Sequence, residues 1–104
     1  MSRKLRIEQL LNQEITPIYL DVEDESANHN VPIGAETHFK VTVVSTYFIG
    51  MPRIARHRLL NNLLKTEFLL GLHALSMHLY TPDEWEGTKT VLKSPSCRDG
   101  YKNK

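Results

Sequence analysis

Two segments of alternating polarity with one helical stripe between them constrain this chain more than anything else it contains. Phe39, Val41 and Val43 alternate with His38, Lys40 and Thr42, the period-two pattern of a strand with one buried face. Leu75, Met77 and Leu79 alternate in the same way along the run from His73 to Tyr80. Between the two, Pro52 suits the first turn of a helix, and Ala55, Leu59, Leu63 with Leu60, Leu64, Phe68 repeat at fourfold spacing until Gly71. This is expected to be the longest helix. If both strands join one sheet, a single helical crossover makes them parallel.

The N-terminal third adds a helix and a strand. Leu5, Ile7, Leu10 and Leu11 follow Ser2, a good N-cap, and Pro17 closes the segment. Ile18, Leu20 and Val22 then form one face of a strand and Tyr19, Asp21 and Glu23 the other, which predicts an antiparallel partner for the 39–43 strand. Asp24 to Glu36, with Asn28, Asn30, Pro32 and Gly34, is too polar for a strand and too long for a tight hairpin. After the third strand, Pro82 opens a short helix through Trp85, which is expected to anchor it by packing. The order αββαβα describes an α+β fold: a three-stranded mixed sheet covered by helices on one face. Residues 1–86 form the domain and 87–104 a basic tail expected to be flexible.

At 104 residues the chain has room for one core and can fold without disulfides. Cys97 is its single cysteine, which excludes an internal disulfide and fits a reducing compartment. The N-terminal residues lack the apolar stretch of a secretory signal, and no run approaches the roughly 20 apolar residues that cross a bilayer. A soluble, cytoplasmic protein is the expectation. The net charge of +1 hides an asymmetry: residues 1–86 hold 8 Lys/Arg against 11 Asp/Glu, whereas 87–104 hold 5 against 1. Any nucleic-acid contact by the acidic domain therefore needs a local basic stripe, or the tail.

No nucleophile with a paired base, phosphate-cradling glycine loop or Cys-x-x-Cys zinc site is present, so an enzyme is not expected. Histidine is the informative residue. His73 is in phase with the inward residues of the third strand, and its plainer reading is a strand histidine satisfied by a hydrogen bond. His29 lies between Asn28 and Asn30 in the long loop, where a solvated side chain is the plain reading; His38 lies near enough to compete for any role given to it. Arg53, Arg56, Arg58 and Lys65, with His57 and Lys40, hold the concentrated basic character of the domain, and either a solvated helix face or a nucleic-acid contact would account for them. Cys97 reads as an exposed tail thiol.

The segments His29-Asn30-Val31-Pro32-Ile33-Gly34-Ala35-Glu36-Thr37-His38-Phe39-Lys40-Val41, Phe48-Ile49-Gly50, Arg56-His57-Arg58, His73-Ala74-Leu75 and Thr81-Pro82-Asp83-Glu84-Trp85 together resemble the BolA family, and Ser94 to Gly100 resembles its bacterial members. The resemblance implies a fold similar to class II KH domains, although Gly50-Met51-Pro52-Arg53 has Arg where the Gly-x-x-Gly clamp of RNA-binding modules has its second glycine. It further implies that His73, with His29 from the loop, ligates a [2Fe–2S] cluster. Two imidazoles without a cysteine set cannot hold such a cluster alone. The remaining ligands would come from a monothiol glutaredoxin and its bound glutathione, placing the protein in iron–sulfur trafficking or iron sensing. The resemblance also supports a second expectation, a DNA-binding transcriptional regulator of stress response and cell shape that uses a helix-turn-helix-like surface around Arg53, Arg56, Arg58, Lys65 and Lys40.

Overall fold

The computed structural model describes residues 2–26 and 34–93. His29, Cys97 and the tail from residue 94 onward lie outside the described residues. Eight elements follow in order: α1 (Arg3–Ile15), β1 (Tyr19–Asp24), β2 (His38–Val44), a 3-10 turn (Thr46–Phe48), α2 (Arg53–Leu63), α3 (Lys65–Leu69), β3 (Ala74–Tyr80) and α4 (Pro82–Lys93). The sheet order is β1-β2-β3, with β1 antiparallel and β3 parallel to the central strand. The mixed sheet expected from the crossover argument is therefore present.

Local chemistry explains most of the boundaries. Ser2 accepts from the Leu5 N–H at 3.2 Å, and Thr16 leaves α1 in the left-handed region ahead of Pro17. Gly71, at φ +124°, turns the chain out of α3. At α4, Thr81 and Glu84 form a reciprocal capping box: the Glu84 N–H donates to Thr81 Oγ1 at 3.2 Å, and the Thr81 N–H donates to Glu84 Oε1 at 2.9 Å. That cap starts a helix that continues to Lys93, eight residues beyond the Trp85 end read from the sequence.

Three other readings change. The helix expected to be longest is divided at Leu64, whose ψ of 14° leaves the helical range, although its N–H still bonds Leu60 O at 2.9 Å. The 13-residue α1 is longer than either part. Ile18 precedes β1 and is 65% exposed, so it does not belong to the inward face. Leu5 is also exposed; the buried stripe of α1 is Arg3, Ile7, Leu11 and Ile15 at intervals of four.

The core lies between the helices and one sheet face. Ile7, Leu11 and Ile15 from α1 and Leu60 and Leu64 from the α2–α3 run meet Val22, Phe39, Val41, Val43 and Leu79 from the three strands. On the opposite face, Tyr19 and Tyr80 flank Val44 in register, and Trp85 stacks on Tyr19 at 5.1 Å and lies 5.4 Å from Tyr80. Val44 is fully buried there, so α4 wraps its indole around one end of an otherwise polar face.

Buried charge stands in phase with apolar residues at the other end. Arg3 donates Nε to Glu67 Oε1 at 2.9 Å, and Arg6 donates Nε to Glu67 Oε2 at 2.7 Å. Hydrogen bonds from Arg6 first, and from Arg3, hold the Glu67 carboxyl below its ordinary range against the opposing effect of burial. Arg3 and Glu67 have side chains only 7% and 8% exposed. Removing one partner would strand the other in a poorly solvated place. Glu67→Ala should therefore lower stability by about 3 kcal/mol in urea unfolding, with Arg6→Ala giving the smaller loss.

Candidate functional site

Parallel pairing brings the starts of β2 and β3 to one end of the sheet. His38 opens β2 opposite Ala74 in β3, and His73 immediately precedes Ala74. The Thr37 carbonyl accepts from both the His73 N–H, at 2.9 Å, and the Ala74 N–H, at 3.1 Å. The His38 and His73 rings consequently lie 6.4 Å apart, inclined by 66°. His73 is exposed and is not an inward strand residue; its backbone N–H makes the hydrogen bond, leaving the imidazole at the surface. His38 is half-buried, and its Nδ1 lies 2.8 Å from Thr37 Oγ1, a contact that orients the ring.

The base of the long loop is tied to the same point. Ser26 Oγ accepts from the Thr37 N–H at 2.9 Å and the His38 N–H at 3.2 Å, while the Glu25 N–H donates to His38 O at 2.7 Å. Arg3 reaches in from α1, donating to the carbonyl of Glu36 and, at 3.0 Å, to that of Leu70. One guanidinium thereby joins the segment ahead of His38 to the segment ahead of His73. Glu36 adopts a left-handed backbone, φ 54°, an uncommon conformation for a residue with a side chain, and its carbonyl is one that Arg3 holds. Among the described residues no group of three or more His, Cys, Asp or Glu side chains is placed to hold a metal ion. Within the described part, this end of the sheet offers two imidazoles.

The expected basic surface is less continuous than its sequence suggested. Arg53, Arg58 and Lys65 are exposed, but Arg56 is buried and its assignment to a nucleic-acid contact is corrected. Its guanidinium donates to Met51 O at 2.9 Å, Leu79 O at 3.2 Å, and Glu84 Oε1 and Oε2 at 2.6 and 3.1 Å, and lies over the Phe48 ring at 5.7 Å. It joins α2 to the end of β3 and the start of α4. Lys40 projects from the polar sheet face, away from the helix layer, and pairs with Glu23 at 3.4 Å. The five residues therefore do not share one face.

The Arg56 hydrogen bonds, aided by the Thr81 N–H, hold the Glu84 carboxyl at about 2. A carboxyl depressed from 4.5 stabilises the fold fully above that pH and loses its contribution as pH falls toward about 2. Acid titration should accordingly loosen α4 in that window, read as loss of the Trp85 packing signal in near-ultraviolet circular dichroism. In urea at neutral pH, Arg56→Ala should cost about 2–4 kcal/mol, because two carbonyls lose their donor, whereas exposed Arg53→Ala should stay within about 0.5 kcal/mol.

A small α+β domain with a histidine pair at the open end of a mixed sheet is the class that these features define. A family model described as BolA-like protein matches residues 11–84. The DNA-binding transcriptional regulator BolA of Escherichia coli (strain K12) is 48% identical over 99 residues, covering 94% of each chain. BolA-like protein 1 of Mus musculus is 41% identical over 92 residues, 88% of this chain and 67% of that protein. Among solved structures, the BolA domain of SufE1 from Arabidopsis thaliana superposes with a TM-score of 0.76 at 44% identity, over 81% of this chain and 96% of that one. The solution structure of BolA1 from Mus musculus gives a TM-score of 0.75 at 39% identity, over 90% and 76% respectively. The chain belongs to the BolA family.

Proposed function

We propose that this protein acts with a monothiol glutaredoxin, sharing a [2Fe–2S] cluster and serving iron–sulfur trafficking or iron sensing. His73 would give one nitrogen ligand and His29 or His38 the second, while the partner's thiolate and glutathione give the sulfur ligands. The observation that carries this reading is the exposed His73 ring, 6.4 Å from that of His38, at the sheet end where the loop containing His29 is anchored.

The donor set fits the group: imidazole suits iron, and two nitrogens require a second polypeptide to complete four ligands. Leu69 at the end of α3 and Leu70 after it, 79% and 61% exposed shortly before His73, are apolar surface that a partner would cover. When bound, the cluster would supply one-electron and iron–sulfur transfer chemistry. This chain's part is to present imidazoles at a fixed spacing, with the Thr37 carbonyl holding the start of β3 beside His38 and Arg3 holding the backbone behind both histidines. Mixing the protein with glutaredoxin, glutathione, iron and sulfide should give a heterodimer whose visible circular dichroism changes with His73→Ala. Comparing His29→Ala with His38→Ala identifies the second ligand; a spectrum indifferent to His73 would overturn the proposal.

A second reading, DNA-binding transcriptional regulation, is favoured by the name of the Escherichia coli relative and by the exposed Arg53, Arg58 and Lys65 of the helix layer. On this reading, duplex DNA binding should weaken with Arg53→Ala and Arg58→Ala beyond the loss from deleting residues 94–104, when titrated at several salt concentrations. Loss confined to the tail deletion would leave only nonspecific attraction.

A further inference from the structure

At the opposite end of β3 from His73, a cavity of 60 Å³ is lined by Arg53, Arg56, His57, Met77, His78, Leu79 and Tyr80. Four of these seven residues are basic or can become so, and none is a carboxylate. About 10–15 Å³ is the least that admits one water, so the space has room for a small oxyanion.

The donors around it are differently committed. Arg56 is neutralised by Glu84 and already bonded to two carbonyls. Arg53 and His57, one helical turn apart on α2, make no hydrogen bond or ion pair among the described residues, and both are exposed. His78 belongs to the β3 edge that lines the cavity, but its ring lies on the polar sheet face, where Nε2 is 3.4 Å from Ser76 Oγ. The strand itself adds a donor. Tyr80 O accepts from Ser45 N on the β2 side, whereas Leu79 O accepts from Arg56 on the outer side. Since a residue's N–H and C=O point the same way in a strand, the Leu79 N–H also faces the outer edge, beside Arg53 and His57.

We propose that this corner binds a phosphoryl group, with Arg53 as the principal charge, His57 beside it one turn along α2, and the Leu79 N–H donating from the strand edge. A fork-shaped guanidinium and backbone N–H groups suit phosphate oxygens. The site is independent of the histidine pair at His73, which lies at the start of β3 while this cavity lies along its second half. The phosphoryl group can belong to a small phosphate ester or to the backbone of a nucleic acid.

The test is a titration of inorganic phosphate into the full chain, at constant ionic strength, followed by NMR of the His57 ring and the Leu79 amide. Saturable shifts at both are expected, with affinity reduced about tenfold by Arg53→Gln and unchanged by Lys4→Gln, which removes an exposed charge on α1. Chloride-insensitive, saturable binding supports the site; equal, unsaturating shifts at exposed basic residues throughout the chain, or equal effects of the two variants, would overturn it. Parallel titrations with a phosphate monoester and with a single-stranded oligonucleotide lacking terminal phosphate assign the source: the ligand that produces the same two shifts is the one that the site takes.

Discussion

The Arg3 guanidinium holds together the end of the molecule on which the candidate metal ligands depend. It lies in the buried phase of α1, four residues before Ile7, and is satisfied by Glu67 and by two backbone carbonyls from separate segments. A lysine would carry the same charge but not a planar fork able to serve three acceptors at once. Desolvating the pair costs free energy, and an apolar pair of the same volume could hold the helices together as well. An apolar pair could not, however, bond the carbonyls of Glu36 and Leu70, and through them fix the approach to His38 and His73.

The second buried arginine does the corresponding work at the other end. Arg56 joins the turn at Met51, the outer edge of β3 and the cap of α4. Because it holds Glu84, and Glu84 also caps α4, the helix that carries Trp85 is secured by a single carboxylate with two duties. Its neighbour Arg53, three positions earlier, is exposed and makes no hydrogen bond or ion pair among the described residues, although its charge adds to the field that lowers the Glu84 pKa. Two arginines on one helix thus have unlike roles, structural for one and available for ligand contact for the other.

The strand order was legible because alternation at 39–43 and 75–79 and the intervening helical stripe leave only one economical topology. The break at Leu64 was not, since Leu60, Leu64 and Phe68 stay in phase across it. Nor was the true extent of α4, where the sequence after Trp85 has little apolar periodicity and the capping box is set by Thr81 and Glu84. The roles of Arg3, Arg56 and Glu67 were missed although a signal existed: each falls at an apolar position of its helix, Arg3 with Ile7, Arg56 with Leu60, and Glu67 with Leu60 and Leu64. A charge in the phase of the core, with an opposite charge in the core phase of another element, marks a buried pair. The proximity of His38 to His73 was hidden for a different reason, because it requires the register of a parallel pair, which no local pattern encodes.

Trp85 is the only tryptophan in the chain and stands between two tyrosines that belong to different edge strands. Its emission therefore reports one particular event, the seating of the last helix against both margins of the sheet. Departure of that helix, whether by heat, acid or an arriving macromolecule, is optically visible in the unlabelled protein, and events confined to the far end of the strands leave the indole undisturbed.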